Sequence, residues 1–226
     1  MTSNWLRSLE LSISFSEFKL LPRHPAYKYE YFDSRALLTP RPRYARAVLR
    51  LAGFSSPSST LTLSSGADIR PLEAGAWDGL PELLAAAFNG APPFATLSEE
   101  DRLSAARDCV EHTRAGGDGP IVEPACFAAW CDGKEMRLEG AILITLIAAR
   151  NGDSEGPRRP HLTWVMVHPW RFGRGLGSAL LASAAGVLRD LGYAELVTTF
   201  LTGNERSALW HWRNGFRLLT SAVTAG

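Results

Sequence analysis

Alternating apolar and polar positions mark the first part of the chain. Leu9, Leu11 and Ile13 alternate with polar residues, and tyrosines recur at positions 27, 29 and 31. Side chains that repeat every second residue lie on one face of a β-strand, so this pattern predicts two strands. Residues 43–51 carry arginines at positions 43, 46 and 50, a spacing that predicts a short helix.

A Ser/Thr-rich stretch at residues 53–66 follows and is interpreted as a boundary. Residues 1–66 are therefore predicted to form an N-terminal, β-rich extension, and residues 67–226 a domain that mixes strands and helices. The predicted elements of this domain are strand 67–72, helix 77–88, a helix between Ser98 and Gly116, strands 125–130, 136–148 and 162–167, helix 176–191, strand 194–201 and helix 205–213.

Short sequence signals define several ends of these elements. Ser98 with Asp101 three residues later forms an approximate capping box. Gly192 is the expected residue just beyond the end of the helix that starts at residue 176. The dipeptide Asp132-Gly133 is typical of a two-residue hairpin turn, so strands 125–130 and 136–148 are predicted to pair.

The most informative stretch is a turn with glycine at positions 173, 175 and 177, between the strand that ends at Val167 and a helix. Such a turn directs backbone N–H groups and the positive end of a helix dipole at one point, which is typical of a phosphate site. Arg174 adds a cation. A dinucleotide fingerprint would need glycine at Ser178, and a P-loop would need a lysine, yet none follows Lys134.

Residues on both sides of this turn complete a known pattern. Val167-His168-Pro169 precedes the glycines, and Asn204 and the run Leu-Trp-His-Trp-Arg-Asn-Gly-Phe at residues 209–216 follow them. The combination resembles the GNAT superfamily of acyl-CoA-dependent N-acetyltransferases, over residues 68–216. Two positions depart from the family pattern: Phe172 stands where arginine or glutamine is usual, and His211 where tyrosine is usual.

The resemblance implies an α/β fold whose mixed sheet splays open around the cofactor and is flanked by helices. It implies acetyl-CoA as co-substrate and direct acetyl transfer to a primary amine in a ternary complex. No activated nucleophile is visible in the sequence, so no covalent enzyme intermediate is expected. The residues expected to bind the cofactor are Val165, Met166, Val167, Phe172, Gly173, Arg174, Gly175, Leu176, Gly177, Ser178 and Asn204.

By the same resemblance, these residues would bind different parts of the cofactor. A backbone N–H in the 165–167 stretch would hold the acyl oxygen, and the glycine turn would bind the pyrophosphate. At Phe172, either the backbone N–H is sufficient for binding, or affinity is reduced and Arg171 or Arg174 compensates. Asn204 would bond the pantetheine or nucleotide portion, or serve as a plain helix N-cap, or do both.

His211 is the candidate catalytic side chain. Its unperturbed pKa near 6.5 suits proton transfer to the departing thiolate or from the amine. The alternative is that a histidine between Trp210 and Trp212 only packs or forms hydrogen bonds. His161, Glu139 and Glu205 are candidates for the general base by rough location, with none singled out, and a water chain could also serve.

Composition narrows the classes of function. A net charge of +1 over 226 residues gives no general argument for binding nucleic acid or membrane, although residues 1–52 hold nine Lys/Arg against four Asp/Glu. Three cysteines and five histidines lack metal-ligand spacing, which predicts ordinary thiols and no metal site. Polar residues interrupt every early apolar run, and no run reaches membrane length, so a cytoplasmic location is expected.

The sequence leaves the partners open. The acceptor is expected to be an amine of a small molecule or peptide, bordered by the weakly charged segment 89–96. The N-terminal extension could pack on the domain, cover the cofactor or mediate a homodimer. A non-catalytic acyl-CoA-binding module and a transferase for a larger acyl group are the alternative functions.

Overall fold

A computed structural model describes residues 9–23, 27–40, 44–54, 67–95, 97–131, 137–148, 158–201 and 204–219. Within these ranges the elements in chain order are β1 (Leu9–Ser12), α1 (Phe15–Leu20), β2 (Tyr27–Phe32), β3 (Arg35–Pro40), β4 (Tyr44–Arg50), β5 (Ala67–Pro71), α2 (Leu80–Ala87), α3 (Glu99–Arg114), β6 (Phe127–Cys131), β7 (Arg137–Ala148), β8 (Arg158–Val167), α4 (Leu176–Asp190), β9 (Glu195–Leu201), α5 (Glu205–Arg213) and β10 (Arg217–Leu218).

The main body is a seven-stranded mixed sheet in the order β10-β4-β9-β8-β7-β6-β5. Every neighbouring pair is antiparallel except β8 and β9, which run parallel. One continuous apolar core joins the sheet to the helices α2, α3 and α4. The predicted mixed α/β architecture is confirmed. The helices are needed because strands with buried apolar side chains must be covered by another layer.

The prediction of a helix over residues 43–51 is wrong, because Tyr44–Arg50 forms β4 between β9 and β10. Ala47, Leu49 and Leu51 are buried at every second position, whereas Arg46 and Arg50 are exposed. The arginine spacing fits a helix equally well, but pairing on both edges and burial of the alternating apolar face decide for a strand. A division of the chain at residue 66 therefore cuts through the main sheet.

A separate three-stranded sheet, in the order β1-β3-β2, precedes β4. Its apolar cluster is centred on Phe18, Ala36 and Leu38. The hydroxyl oxygen of Ser14 accepts from the N–H of Glu17, and the carboxylate of Glu17 accepts from the N–H of Ser14, so a complete capping box starts α1. The two predicted N-terminal strands are thus present as β1 and β2, with the helix α1 between them.

The helices of the main body follow their sequence signals closely. Ser98 caps α3 by accepting from the N–H of Asp101 at 3.2 Å. The predicted helix 77–88 is divided, because residues 74–79 are 3₁₀ and α2 begins at Leu80. Gly192, with φ +85°, lies just beyond the end of α4, as predicted.

Strands β6 and β7 pair as the predicted hairpin. Its Asp132-Gly133 turn, and residues 55–66 of the predicted boundary, lie outside the described residues. None of the helices in the described ranges combines the length and the apolar character needed to cross a membrane.

Candidate active site

The two parallel strands of the main sheet separate at one end. The ladder between β8 and β9 has two rungs, His161 with Val197 and Leu162 with Thr198. Beyond Leu162, no ladder joins the described residues of these strands. A bulge at Thr163, opposite the step from Leu143 to Ile144 of β7, falls at this point. A bulge bends its strand and increases its twist, which opens a gap between β8 and β9.

The glycine turn lies at the end of β8. Gly173 and Gly175 have φ of +73° and +80°, the left-handed region that glycine adopts without a Cβ clash. Helix α4 begins directly after Gly175, and no side chain caps it. The first turn of a helix leaves N–H groups without intrahelical acceptors, so this end of α4 can receive an anion.

Gly177 is needed for a different reason. A Cβ at this position would lie 3.1 Å from Nε1 of Trp210 and 3.4 Å from Cγ2 of Val167. The glycine therefore lets the start of α4 approach both α5 and β8. This close packing holds the turn against the two elements that flank the gap.

A cavity of about 600 Å³ occupies the gap and reaches the glycine turn. Its walls come from the ends of β8 and β9, the first turn of α4, one side of α5 and the segment after α2. Of the predicted site residues, those that line it are Val165, Val167, Phe172, Gly173, Gly175, Leu176, Gly177, Ser178, Asn204 and His211. Met166 instead has its side chain fully buried in the core, and Arg174 is exposed outside the cavity lining.

The side chain of Arg171 is committed elsewhere. Its Nε donates to Oε2 of Glu139 at 2.5 Å, and one terminal nitrogen donates to Sγ of Cys131 at 3.1 Å. Arg171 is only 9% exposed, and the bond to Glu139 raises the pKa of the guanidinium. A buried pair of this kind is costly to break, because either partner alone would be an uncompensated charge. Arg171 therefore cannot easily replace the cation missing at position 172.

Another arginine, which was not among the site residues predicted from the sequence, lies beside Phe172. Cζ of Arg206, in the first turn of α5, lies 4.4 Å from the ring centroid of Phe172. Arg206 also lines the cavity. The only signal in the sequence is its position two residues after Asn204, and a link between α5 and the turn is visible only in three dimensions.

Asn204 begins α5 as an N-cap, one of its two predicted roles. Its Oδ1 accepts from the N–H of Ser207 at 3.0 Å, and its Nδ2 donates to the carbonyl of Pro92 at 3.1 Å. Asn204 is 8% exposed. It therefore ties α5 to the segment after α2, across one wall of the cavity.

His211 is buried and both of its ring nitrogens have partners. Nδ1 is 2.7 Å from the carbonyl oxygen of Ser207, and Nε2 is 3.2 Å from Oγ1 of Thr198. Because a carbonyl only accepts, Nδ1 carries the proton and Nε2 accepts from Thr198. The ring stacks on Phe200 at 4.5 Å. Burial lowers its pKa to about 4, so His211 is neutral at pH 7. This geometry favours the packing alternative over proton donation.

The candidate bases and the cysteines lie in different surroundings. Glu139 is paired with Arg171, and Glu205 is exposed outside the lining of the cavity. Cys109 and Cys126 are buried thiols, and burial raises the pKa of Cys126 to about 11. In the described ranges, no three His, Cys, Asp or Glu side chains are grouped to hold a metal ion. His161 lies between two threonines of the cavity wall.

The sequence pattern of the acetyltransferase (GNAT) family matches residues 92–216, more than half of the chain. The chain belongs to this family. It is therefore an acyltransferase. No curated protein has a significantly similar sequence.

The chain is similar to several solved structures. A putative acetyl transferase from Pyrococcus furiosus is 18% identical and has a TM-score of 0.51, over 69% of this chain and 95% of that one. The PaiA N-acetyltransferase from Thermoplasma acidophilum, in complex with coenzyme A, is 16% identical with a TM-score of 0.49, over 69% and 92% of the chains. The aminoglycoside N-acetyltransferase AAC(6′)-Iy, also with CoA, is 16% identical with a TM-score of 0.46, over 67% and 88%.

Proposed function

We propose that this GNAT protein transfers an acetyl group from acetyl-CoA to a primary amine, directly and within a ternary complex. The observation that carries the proposal is the continuity of the cavity, which runs from the opened edge of β8 to the glycine turn at the start of α4. A thioester laid along this path would have its diphosphate at a helix N-terminus and its acyl group in the gap.

The diphosphate is assigned to the glycine turn. The positive φ values of Gly173 and Gly175 and the uncapped start of α4 favour an anion there. Arg206 supplies the positive charge from α5 in place of the residue usual at position 172. A guanidinium can bond a phosphate through two N–H groups, and such charge-assisted bonds are about twice as strong as neutral ones.

The pantetheine arm is assigned to the edge of β8 beyond Leu162, where strand pairing with β9 has ended. The side chains of Val165 and Val167 line the cavity, and their strand can offer backbone groups to the amides of the arm. A backbone N–H in this stretch would polarise the acyl carbonyl. One such donor is worth roughly 10²–10³ in rate. Asn204 contacts the arm without giving up its role as N-cap.

The acceptor enters from the side formed by Phe88, the segment 91–93 and Tyr44. This side is apolar, and the charged groups among the described lining residues are arginines, Arg171, Arg206 and Arg213. A primary amine on a small, largely apolar molecule or peptide fits this wall. A polycationic acceptor would meet no carboxylate among the described lining residues and would be repelled by Arg206 and Arg213, whereas the charge of Arg171 is compensated by Glu139.

Amine-dependent release of CoA thiol tests this function. Acetyl-CoA with arylalkyl amines or peptides of apolar N-terminal residues should release thiol in proportion to the amine, whereas an aminoglycoside should release little. Mass spectrometry should show a gain of one acetyl group on the amine. Tight acetyl-CoA binding by calorimetry without turnover of any amine would favour the non-catalytic module, and faster turnover of longer acyl-CoA thioesters would favour the larger acyl group.

A further inference from the structure

A chain of hydrogen-bonding side chains leads inward from the cavity wall. Thr199 and Thr163 both line the cavity. His161 lies between them, with Nε2 3.4 Å from Oγ1 of Thr199 and Nδ1 3.2 Å from Oγ1 of Thr163. Oγ1 of Thr163 is 2.8 Å from Oγ1 of Thr145, which donates to the carbonyl of Asp118 at 2.9 Å. These contacts connect the gap between β8 and β9 to the protein interior.

The carbonyl of Asp118, at the inner end of this series of hydrogen bonds, determines which group donates in each bond. A hydroxyl has one proton, and Thr145 gives its proton to the carbonyl of Asp118. Thr163 must then donate to Thr145 at 2.8 Å and not to the carbonyl of His161 at 3.4 Å, since two hydroxyl oxygens 2.8 Å apart share a proton. Thr163 can consequently only accept from His161, so Nδ1 carries the imidazole proton. Nε2 is left as an acceptor for the hydroxyl of Thr199.

We propose that His161 is the proton acceptor for the attacking amine and acts through the hydroxyl of Thr199. This inference rests on the acetyl transfer proposed above. The amine N–H is donated to Oγ1 of Thr199 while the Thr199 proton moves to Nε2 of His161. The new C–N bond forms and the C–S bond breaks. The proton then leaves through the same hydroxyl to the CoA thiolate, so amine and acetyl-CoA give amide and free CoA thiol.

The surroundings of His161 keep its ring neutral before the amine attacks. Burial lowers its pKa to about 4, Asp118 opposes that shift, and Arg46 of β4 adds to it. His112 contacts Asp118 at 3.8 Å, and the pair of Arg159 and Glu195 lies further along the strands. Nε2 is thus unprotonated throughout the neutral pH range. An ordinary thiol has a pKa near 8.5, so a thiolate takes the proton from the imidazolium readily.

The preceding residue of β9, Thr198, provides a matched control. Thr198 also bonds a buried histidine, His211, through Nε2. Thr198 also lines the cavity, but it is 3% exposed and its hydroxyl is 3.3 Å from the carbonyl of Leu162 as well, so its oxygen has little access to an amine. Thr199 is partly exposed. The two threonines therefore allow the same hydroxyl-to-methyl change on opposite sides of one strand.

The test uses the whole chain and an amine that the wild-type protein acetylates. Thr199→Val and His161→Ala should each lower kcat by about 10²-fold, with acetyl-CoA affinity changed less than about threefold. Thr198→Val should lower the melting temperature and leave kcat within about threefold. Added imidazole should raise the rate of His161→Ala at least tenfold and leave Thr199→Val unchanged.

Two results would overturn the inference: kcat near the wild-type value in Thr199→Val, or equal effects of imidazole on both variants. His161→Gln is the safeguard against misfolding, since its amide can bond both threonines but cannot accept a proton. A folded His161→Gln with full activity would also exclude His161. Failure of wild type to acetylate any amine while it still binds acetyl-CoA would instead remove the proposed function.

Discussion

Arg206 lies over the ring of Phe172, with Cζ 4.4 Å from the ring centroid. The contact joins the first turn of α5 to the glycine turn, at the position where the family usually has a basic or amide side chain. Arg171 also lines the cavity but is bonded to Glu139, whereas Arg206 lines the cavity and contacts this ring.

Loss of this cation should weaken cofactor binding. Arg206→Gln should raise the Kd of acetyl-CoA about tenfold or more, which corresponds to one charge-assisted bond of about 1.5–3 kcal/mol. Calorimetry measures the change. Arg189→Gln, at the far end of α4, makes the same change in net charge and should leave Kd unaltered. Adding Phe172→Arg to Arg206→Gln should restore affinity; equal Kd values for all variants would remove Arg206 from the site.

The glycine turn can be tested with a matched pair of glycines. Gly173 and Gly192 have φ of +73° and +85°, and a Cβ at either would meet no atom within 4 Å. Alanine at either position should cost about 1–2 kcal/mol in unfolding free energy, because both backbones are left-handed. Only Gly173→Ala should weaken acetyl-CoA binding, since only Gly173 lines the cavity. Parallel losses of affinity in calorimetry would place the diphosphate elsewhere.

His211→Phe separates packing from catalysis. The phenyl ring can keep the stack on Phe200, but the bonds to Ser207 and Thr198 are lost. Unfolding in urea should show a loss of about 1–3 kcal/mol from the unpaired polar partners. We expect kcat to stay within a few-fold of wild type. A folded His211→Phe variant with a 10²-fold lower kcat would restore the catalytic role predicted from the sequence.

Acid should destabilise this protein before its carboxylates titrate. His161 and His211 have folded-state pKa values of about 4, against 6.5 when unfolded. Between these values the unfolded state binds more protons, so stability falls as pH falls. Each histidine should lower the free energy of unfolding at pH 5 by roughly 2 kcal/mol relative to pH 7. Urea unfolding at the two pH values checks this, and His211→Phe should reduce the difference by about half.

Residues 1–42 and the segment that contains β4 contribute differently to the stability of the main sheet. Removal of residues 1–64 deletes β4, which would expose the edge of β9 and take Ala47, Leu49 and Leu51 from the core. That protein should aggregate or fail to fold. Removal of residues 1–42 leaves β4 in place and should preserve cooperative unfolding. Circular dichroism and light scattering distinguish the two, and a folded protein that starts at residue 65 would show that the main sheet does not need β4.

Local sequence signals determined much of the main body. The helix at Glu205–Arg213 has the predicted bounds, the serine at position 98 caps α3, and Gly192 ends α4. Each of these features depends on groups a few residues apart in the chain, so the sequence contains all of the participants. The glycine turn belongs to the same class, since its positive φ values and the helix that follows are local properties.

Tertiary structure decided what depends on distant partners. The segment around Arg46 and Arg50 fits a helix or a strand by spacing, and the edges of β9 and β10 selected the strand. The pairing of Arg171 with Glu139 left Arg206 as the cation beside Phe172, although 34 positions separate that arginine from the ring. The neutral state of His211 likewise follows from its burial against Thr198 and Phe200, because desolvation and the available acceptors, which only the assembled fold defines, set its charge.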